Sequence, residues 1–333
     1  MAGFFGLFDY SKPGKGVDVD APPKKPFFRF FELYWRKFTR FLLMNLLLFV
    51  LLLPIIAVVF RFFNQWIMSL DPEYFSGIIE QAQEQEANPP AEGEQAQGAV
   101  LFSIFQDMLF RLPISVPFTA PATGSEYIFL LFLLASVILY GPVMCGFTYM
   151  LRNFAREEHA WMSDFFIRMK KNFRQGVALG LLELFALSML VLNLTMQVSE
   201  NASSLTAFSV MLAKIISPLL IVLVLFSRKY MYIMAVTFNL SFFNIIKNSL
   251  AFSIVGLARN ALVLLIDAAV IFIVFFLPPG DFVLLPFFFF SFTGFLSVFS
   301  SYPLIHKHMI LPRLKQESGE GEEGANEEGE SDG

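Results

Sequence analysis

Long apolar runs set the pattern of this chain. A membrane-spanning helix needs about 20 mostly apolar residues. Six windows supply them: 41–60, 127–151, 177–198, 207–227, 261–277 and 282–304. Proline falls inside or near the end of most of them, at Pro54, Pro142, Pro218, Pro286 and Pro303. Spanning helices accept proline because neighbouring helices satisfy the carbonyls it frees.

Shorter segments ahead of three spans follow a different pattern. In the first, Phe27, Phe28, Phe31, Tyr34, Trp35 and Phe38 share one face of a helical wheel, opposite Arg29, Glu32, Arg36 and Arg40. The second sets Trp161, Phe165, Phe166, Met169 and Phe173 against Asp164, Arg168, Lys171 and Gln175. In the third, Phe242, Phe243, Ile246 and Leu250 oppose Asn244, Lys247 and Asn248. An aromatic face opposite a basic one predicts helices lying in the membrane interface. The pattern suggests three units, each an amphipathic helix followed by a two-span hairpin. The last two units overlay at an offset of 76, which matches Phe166, Lys171, Asn172, Gly180 and Leu181 to Phe242, Lys247, Asn248, Gly256 and Leu257.

Composition agrees with a membrane solvent. Hydrophobic residues make up 56% of the 333, with 43 Phe, and only 16% are charged; a soluble domain carries about 25%. The expected fold class is therefore all-α, a polytopic bundle of six transmembrane helices. Residues 26–315 form the membrane domain, after a cytoplasmic segment 1–25 with no signal-peptide pattern, so the N-terminus is expected to stay on the mature protein. A Gln-, Glu- and Pro-rich stretch within an extracytoplasmic insert (64–125) and an acidic, Gly-rich tail (316–333) are expected to be disordered.

Charge adds an orientation. Of the 24 Lys and Arg, 21 lie before span one, between spans two and three, between spans four and five, or after span six. The excess of basic residues on cytoplasmic loops then places both termini in the cytoplasm of a cell membrane. Arg29, Arg36, Lys37, Arg168, Lys171 and Lys247 are candidate contacts for anionic lipid headgroups on that leaflet. Because the first basic segment leads directly into a span, the nearest anion is the membrane surface, and no nucleic-acid partner is expected.

Candidate chemistry is sparse. Glu183, Lys214 and Asp267 fall inside spans, with Asn45 and Asn193 able to join them. A charge at the bilayer centre costs about 2.5–3.5 kcal/mol on insertion scales. These groups should therefore face the bundle interior, either as a relay or as interhelical pairs that fix packing. Glu183 and Asp267 sit at similar depth and could share a proton. His306 and His308 alternate without a third metal ligand, and the single cysteine, Cys145, reads as a small apolar residue. No P-loop, nucleophile elbow, zinc-protease or dinucleotide motif is present in the sequence. No catalytic, cofactor or metal site is expected, and the protein is not expected to be an enzyme.

The text GFFGLFDYSKPGKGVDVDAPPKKPFFRFFELYWRKF, with GFTYMLRNFAREEHAWMSDFFIRMKKNF and the Lys-Asn before span five, resembles the YesL-like family. These are bacterial multi-pass membrane proteins of unknown function, mainly from Gram-positive organisms. The insert 64–125 is longer than is usual there. The family's genes often neighbour carbohydrate-uptake and carbohydrate-degradation genes. The resemblance thus implies a non-enzymatic accessory or regulatory partner of a sugar ABC importer or sensor kinase. A transporter or permease subunit for a small solute is the alternative, favoured by six spans and buried charge. Against it, the cytoplasmic loops lack the E-A-A…G pattern by which sugar permeases dock their ATPase.

Overall fold

The computed structural model describes residues 25–70, 124–195, 203–276 and 283–317. Segment 1–24, most of the insert (71–123) and the tail from 318 lie outside the described residues. Among the described residues ten α-helices follow in order: α1 Pro26–Arg36, α2 Phe38–Leu70, α3 Gly124–Ala155, α4 Met162–Lys171, α5 Phe173–Thr195, α6 Ser204–Thr237, α7 Phe242–Val255, α8 Leu257–Phe276, α9 Phe290–Ile305 and α10 Leu311–Glu317. π-helical turns, Leu285–Phe289 and His306–Ile310, flank α9. There is no strand among the described residues.

Six of the described helices are long and apolar enough to cross a membrane: Phe38–Val59, Ile128–Ala155, Phe173–Leu194, Ser204–Thr237, Leu257–Val274 and Leu285–Gln316. The fold is a polytopic helical bundle. The sequence ends span four at residue 227, before Arg228 and Lys229, but α6 runs on to Thr237. Its 34 residues reach about 51 Å at 1.5 Å per residue, well beyond a hydrocarbon core of about 30 Å. Ser203 starts it, its Oγ accepting from the Thr206 N–H at 3.2 Å. The last turns, Tyr230–Val236, are wholly buried.

The three juxtamembrane helices α1, α4 and α7 each join their span through a single non-helical residue. Those residues, Lys37 (φ −112°, ψ 18°), Asn172 (φ −98°, ψ 18°) and Gly256 (φ −92°, ψ 15°), share one backbone conformation. In each, the N–H turns back on the preceding helix, to the carbonyls of Leu33, Arg168 and Phe252. The helix-break-span plan thus occurs three times. The offset of 76 is wrong, however. It sets Asn172 on Asn248, in the middle of α7, whereas aligning the breaks requires 84. The five matched residues therefore do not occupy equivalent positions relative to the breaks.

Burial concentrates at the end of the bundle that carries these helices. Phe41, Met44 and Leu48 of α2, Val143–Phe154 of α3, Phe165 of α4, Tyr230–Val236 of α6, Ile245 of α7 and Phe295 of α9 form one core. The aromatic faces expected for the juxtamembrane helices are split by it. Phe30, Leu33 and Tyr34 of α1 turn inward, while Phe27, Phe28, Phe31 and Trp35 are exposed. On α7 the inward face is Ile245, Ser249, Phe252 and Ser253, and Phe243 is 78% exposed. Large apolar side chains cost nothing when they face lipid, and small residues let helices approach closely. A wheel drawn for a water-facing helix therefore misassigns which apolar residues pack. Tyr34 sits within a cluster of rings, stacked on Phe41 at 4.5 Å, and shares a hydrogen bond with Ser291 at 3.2 Å. Burial pushes its hydroxyl up to about 12.

Candidate functional site: a charged cavity inside the bundle

The crossing of α3 and α5 is set by glycine. A Cβ added to Gly176 would meet the Pro142 nitrogen at 2.9 Å, and one on Gly180 would meet the Gly141 nitrogen at 2.6 Å. Backbones this close leave no room for a side chain. The crossing brings Tyr140, beside Gly141, onto Glu183, one turn beyond Gly180. The Tyr140 hydroxyl donates to Glu183 Oε1 at 2.9 Å, and the Tyr232 hydroxyl donates to Oε2 at 2.8 Å. Arg228 Nε closes an ion pair with Oε1 at 2.8 Å. Glu183 is 2% exposed. Every donor around it is supplied by the protein, as a carboxylate removed from water requires.

Arg228 looks the other way into a cavity of about 500 Å³, bounded by α2, α3, α6, α8 and α9. Ligand sites typically measure about 300–1,000 Å³. One end is polar, lined by Arg228, Lys229, Asp267, Asn260, Tyr140 and Thr148. Tyr232, Thr293 and Ser297 add further hydroxyls, and Leu52, Ile55, Ile56, Val59, Ile271, Leu285 and Phe289 supply an apolar wall. Asn260 is fixed in place: it accepts from the Tyr230 hydroxyl at 2.9 Å and donates to the Ser253 carbonyl at 3.0 Å. Asp267 is not, and its Oδ1 is buried with no hydrogen-bond partner. Lys229 is 9% exposed.

The four residues expected to form one intramembrane cluster divide among three places. Arg228 pairs with Glu183 and lies within electrostatic reach of Asp267, so it links the two carboxylates in charge. They share no proton: Glu183 accepts from two tyrosines and an arginine. Asn45 serves a backbone defect instead. Its Nδ2 donates to the Leu285 carbonyl at 2.9 Å, and its Oδ1 accepts from the Ser291 N–H at 2.7 Å. Both groups flank the π turn at Pro286, where the α-helical ladder is interrupted. Lys214 is half-buried on α6, about 21 Å along the helix from Arg228.

The sequence reading missed Tyr140, Arg228, Lys229, Tyr232 and Asn260. It counted Arg228 and Lys229 as loop cations. The signal was present: YMYIMAV (230–236) resumes directly after them, which marks the pair as an interruption of one apolar segment.

The candidate headgroup residues also divide. Arg29 and Arg36 pair with the two oxygens of Glu157 at 3.0 and 2.7 Å, and Lys37 donates to the Glu158 carbonyl at 3.0 Å. These three therefore dock α1 onto the α3–α4 link, a protein contact that the sequence reading did not foresee. Arg168 lies 4.3 Å from the Tyr149 ring. Lys171 and Lys247 are exposed, near exposed Phe166 and Phe243.

Glu157 has φ 62°, the one positive value among described non-glycine residues. Its N–H reaches the Phe154 carbonyl, and the next N–H reaches that of Asn153. This is the helix-ending turn in which glycine is usual. His306 and His308 lie against the rings of Tyr302 and Phe252, at 6.1 and 6.2 Å.

No curated protein and no solved structure matches the chain. Residues 124–194, which carry Tyr140, Glu157 and Glu183, match the model of the family described as protein of unknown function, DUF624, the YesL-like family of membrane proteins that the sequence resembles.

Proposed function

We propose that this integral membrane protein binds a ligand in the cavity and acts without covalent chemistry, as an accessory or regulatory partner of a carbohydrate uptake or sensing system. One observation carries the ligand site: a buried carboxylate oxygen of Asp267 without a partner, beside a buried lysine and a restrained arginine. An unmet acceptor of this kind costs about 1–3 kcal/mol, a cost that a bound donor removes. Intramembrane ionisable groups facing a cavity are functional sites by default. The accessory role rests on the family resemblance. Both termini are cytoplasmic in this reading, because 19 of 24 basic residues still fall on that side once Arg228 and Lys229 are placed inside α6. The exposed Lys171 and Lys247, with exposed Trp161, Phe166 and Phe243, then meet the anionic lipid of the inner leaflet. Co-purification of the tagged full chain from native membranes tests the role. An importer or sensor kinase recovered with it supports the reading, and its absence across several detergents opposes it. The cavity also favours a second reading, a transporter for a small solute. Uptake of a labelled solute by liposomes holding the pure protein decides for that one.

A further inference from the structure

The cavity has two ends of opposite character, and that polarity restricts what fills it. At the polar end stand Arg228, Lys229 and Asp267, with Glu183 behind Arg228. These two cations and two carboxylates sum to zero, and a proton passed from lysine to aspartate would leave that sum unchanged; Arg259, beside Asn260, is exposed at the rim and held on the Ser300 carbonyl. A ligand with net charge would bury one charge without its counterpart, which is costly. Yet the site offers separate demands. Asp267 Oδ1 lacks a donor, and Lys229 presents one. At the other end the wall is apolar, and it reaches lipid: Val59 and Ile271 line the cavity and are 61% and 42% exposed on the flank of a spanning helix.

We propose that the cavity holds a single-chain amphiphile drawn from the bilayer, with a zwitterionic phosphoethanolamine-type head between Lys229 and Asp267 and its chain along Leu52, Ile56 and Ile271. The ammonium donates to Asp267, and a phosphate oxygen accepts from Lys229. The chain replaces bilayer contacts with cavity contacts at little cost. This rests on the reading that the cavity is a ligand site, and deepens it by naming the ligand.

The test is native mass spectrometry of the purified full chain with three probes: palmitoyl-lysophosphatidylethanolamine, palmitoyl-lysophosphatidylglycerol and chain-free glycerophosphoethanolamine. The ethanolamine lipid should bind most tightly. Asp267→Asn should weaken it about tenfold or more, the loss of one charge-assisted hydrogen bond, and bring it level with the glycerol lipid. Lys229→Gln is the second variant should Asp267→Asn misfold. Ile56→Trp, which fills the apolar end, should weaken both lipids. Equal binding of the two lipids, or unchanged binding in both polar variants, overturns the proposal. If the chain-free head binds as tightly as the lipid and Asp267→Asn abolishes it, the cavity is a ligand site for a soluble zwitterion, and only the lipid inference fails. If none of the probes binds in an Asp267- or Lys229-dependent way, the lipid proposal fails, and co-purification and solute uptake then judge the broader reading separately.

Discussion

Glu183→Gln isolates the energy held in the α3–α5–α6 junction. The carboxylate accepts from Tyr140, Tyr232 and Arg228 at 2.8–2.9 Å. Glutamine keeps one acceptor oxygen and puts an NH₂ where the other stood, so at least one of the three donors loses its acceptor. Arg228 also loses its countercharge while Asp267 stays nearby as partial compensation. Breaking a buried pair from one side costs about 3–5 kcal/mol, and that compensation places this case near the lower end. At roughly 2–4 °C per kcal/mol for a chain of this size, the melting temperature should fall by about 6–12 °C. The chain carries its own reporter, because its single cysteine, Cys145, is buried. A thiol-reactive fluorophore in detergent therefore follows unfolding directly. Adding Arg228→Met to Glu183→Gln should restore part of the loss, since removing both charges is milder than stranding one. A fall below about 2 °C for the single variant, or a double variant as poor as the sum of the two singles, would refute the argument.

Other outcomes follow from single contacts. Glu157→Gly should relieve the left-handed backbone while freeing α1, so amides 27–36 exchange faster without a lower melting temperature; unchanged or slower exchange would contradict the latch. The Arg36 and Arg29 hydrogen bonds hold the Glu157 carboxyl below its ordinary range. The latch should therefore be intact above pH of about 4.3, weaken as pH falls through the lowered value, and weaken also with salt, all read by the same exchange experiment. Asn45→Val strands the Leu285 carbonyl and the Ser291 N–H, and should lower the Cys145-reported melting temperature by several degrees at about 1–3 kcal/mol per unmet group. For the orientation, cysteines introduced at Asp18 or Ala325 after Cys145 is replaced should resist an impermeant label in intact cells, while one at Pro90 should react; labelling at either terminus reverses the topology.

The apolar runs by themselves determined six spanning helices, because every backbone polar group in hydrocarbon must be met within its own segment and only length and composition decide that. The aromatic-and-basic segments ahead of spans one, three and five suggested three units of short helix and two-span hairpin, but the single-residue break that joins each short helix to its span came only from the structure. Which residues face inward was not legible. In lipid the usual contrast between apolar inside and polar outside disappears, so Phe243 points outward and Ser249 packs. Glu183 and Asp267 were visible as costly charges, but their partners were not. Arg228 reads as a loop cation until the glycine crossing of α3 and α5 brings Glu183 to meet it. Asn45 looked like a member of the same cluster, and only the π turn at Leu285–Phe289, 240 residues away in sequence, shows that it answers a backbone defect. The cavity itself is a property of five helices at once: no local segment encodes the neutral pairing of its charges or the buried Asp267 oxygen left without a donor, since both arise from how the helices are packed.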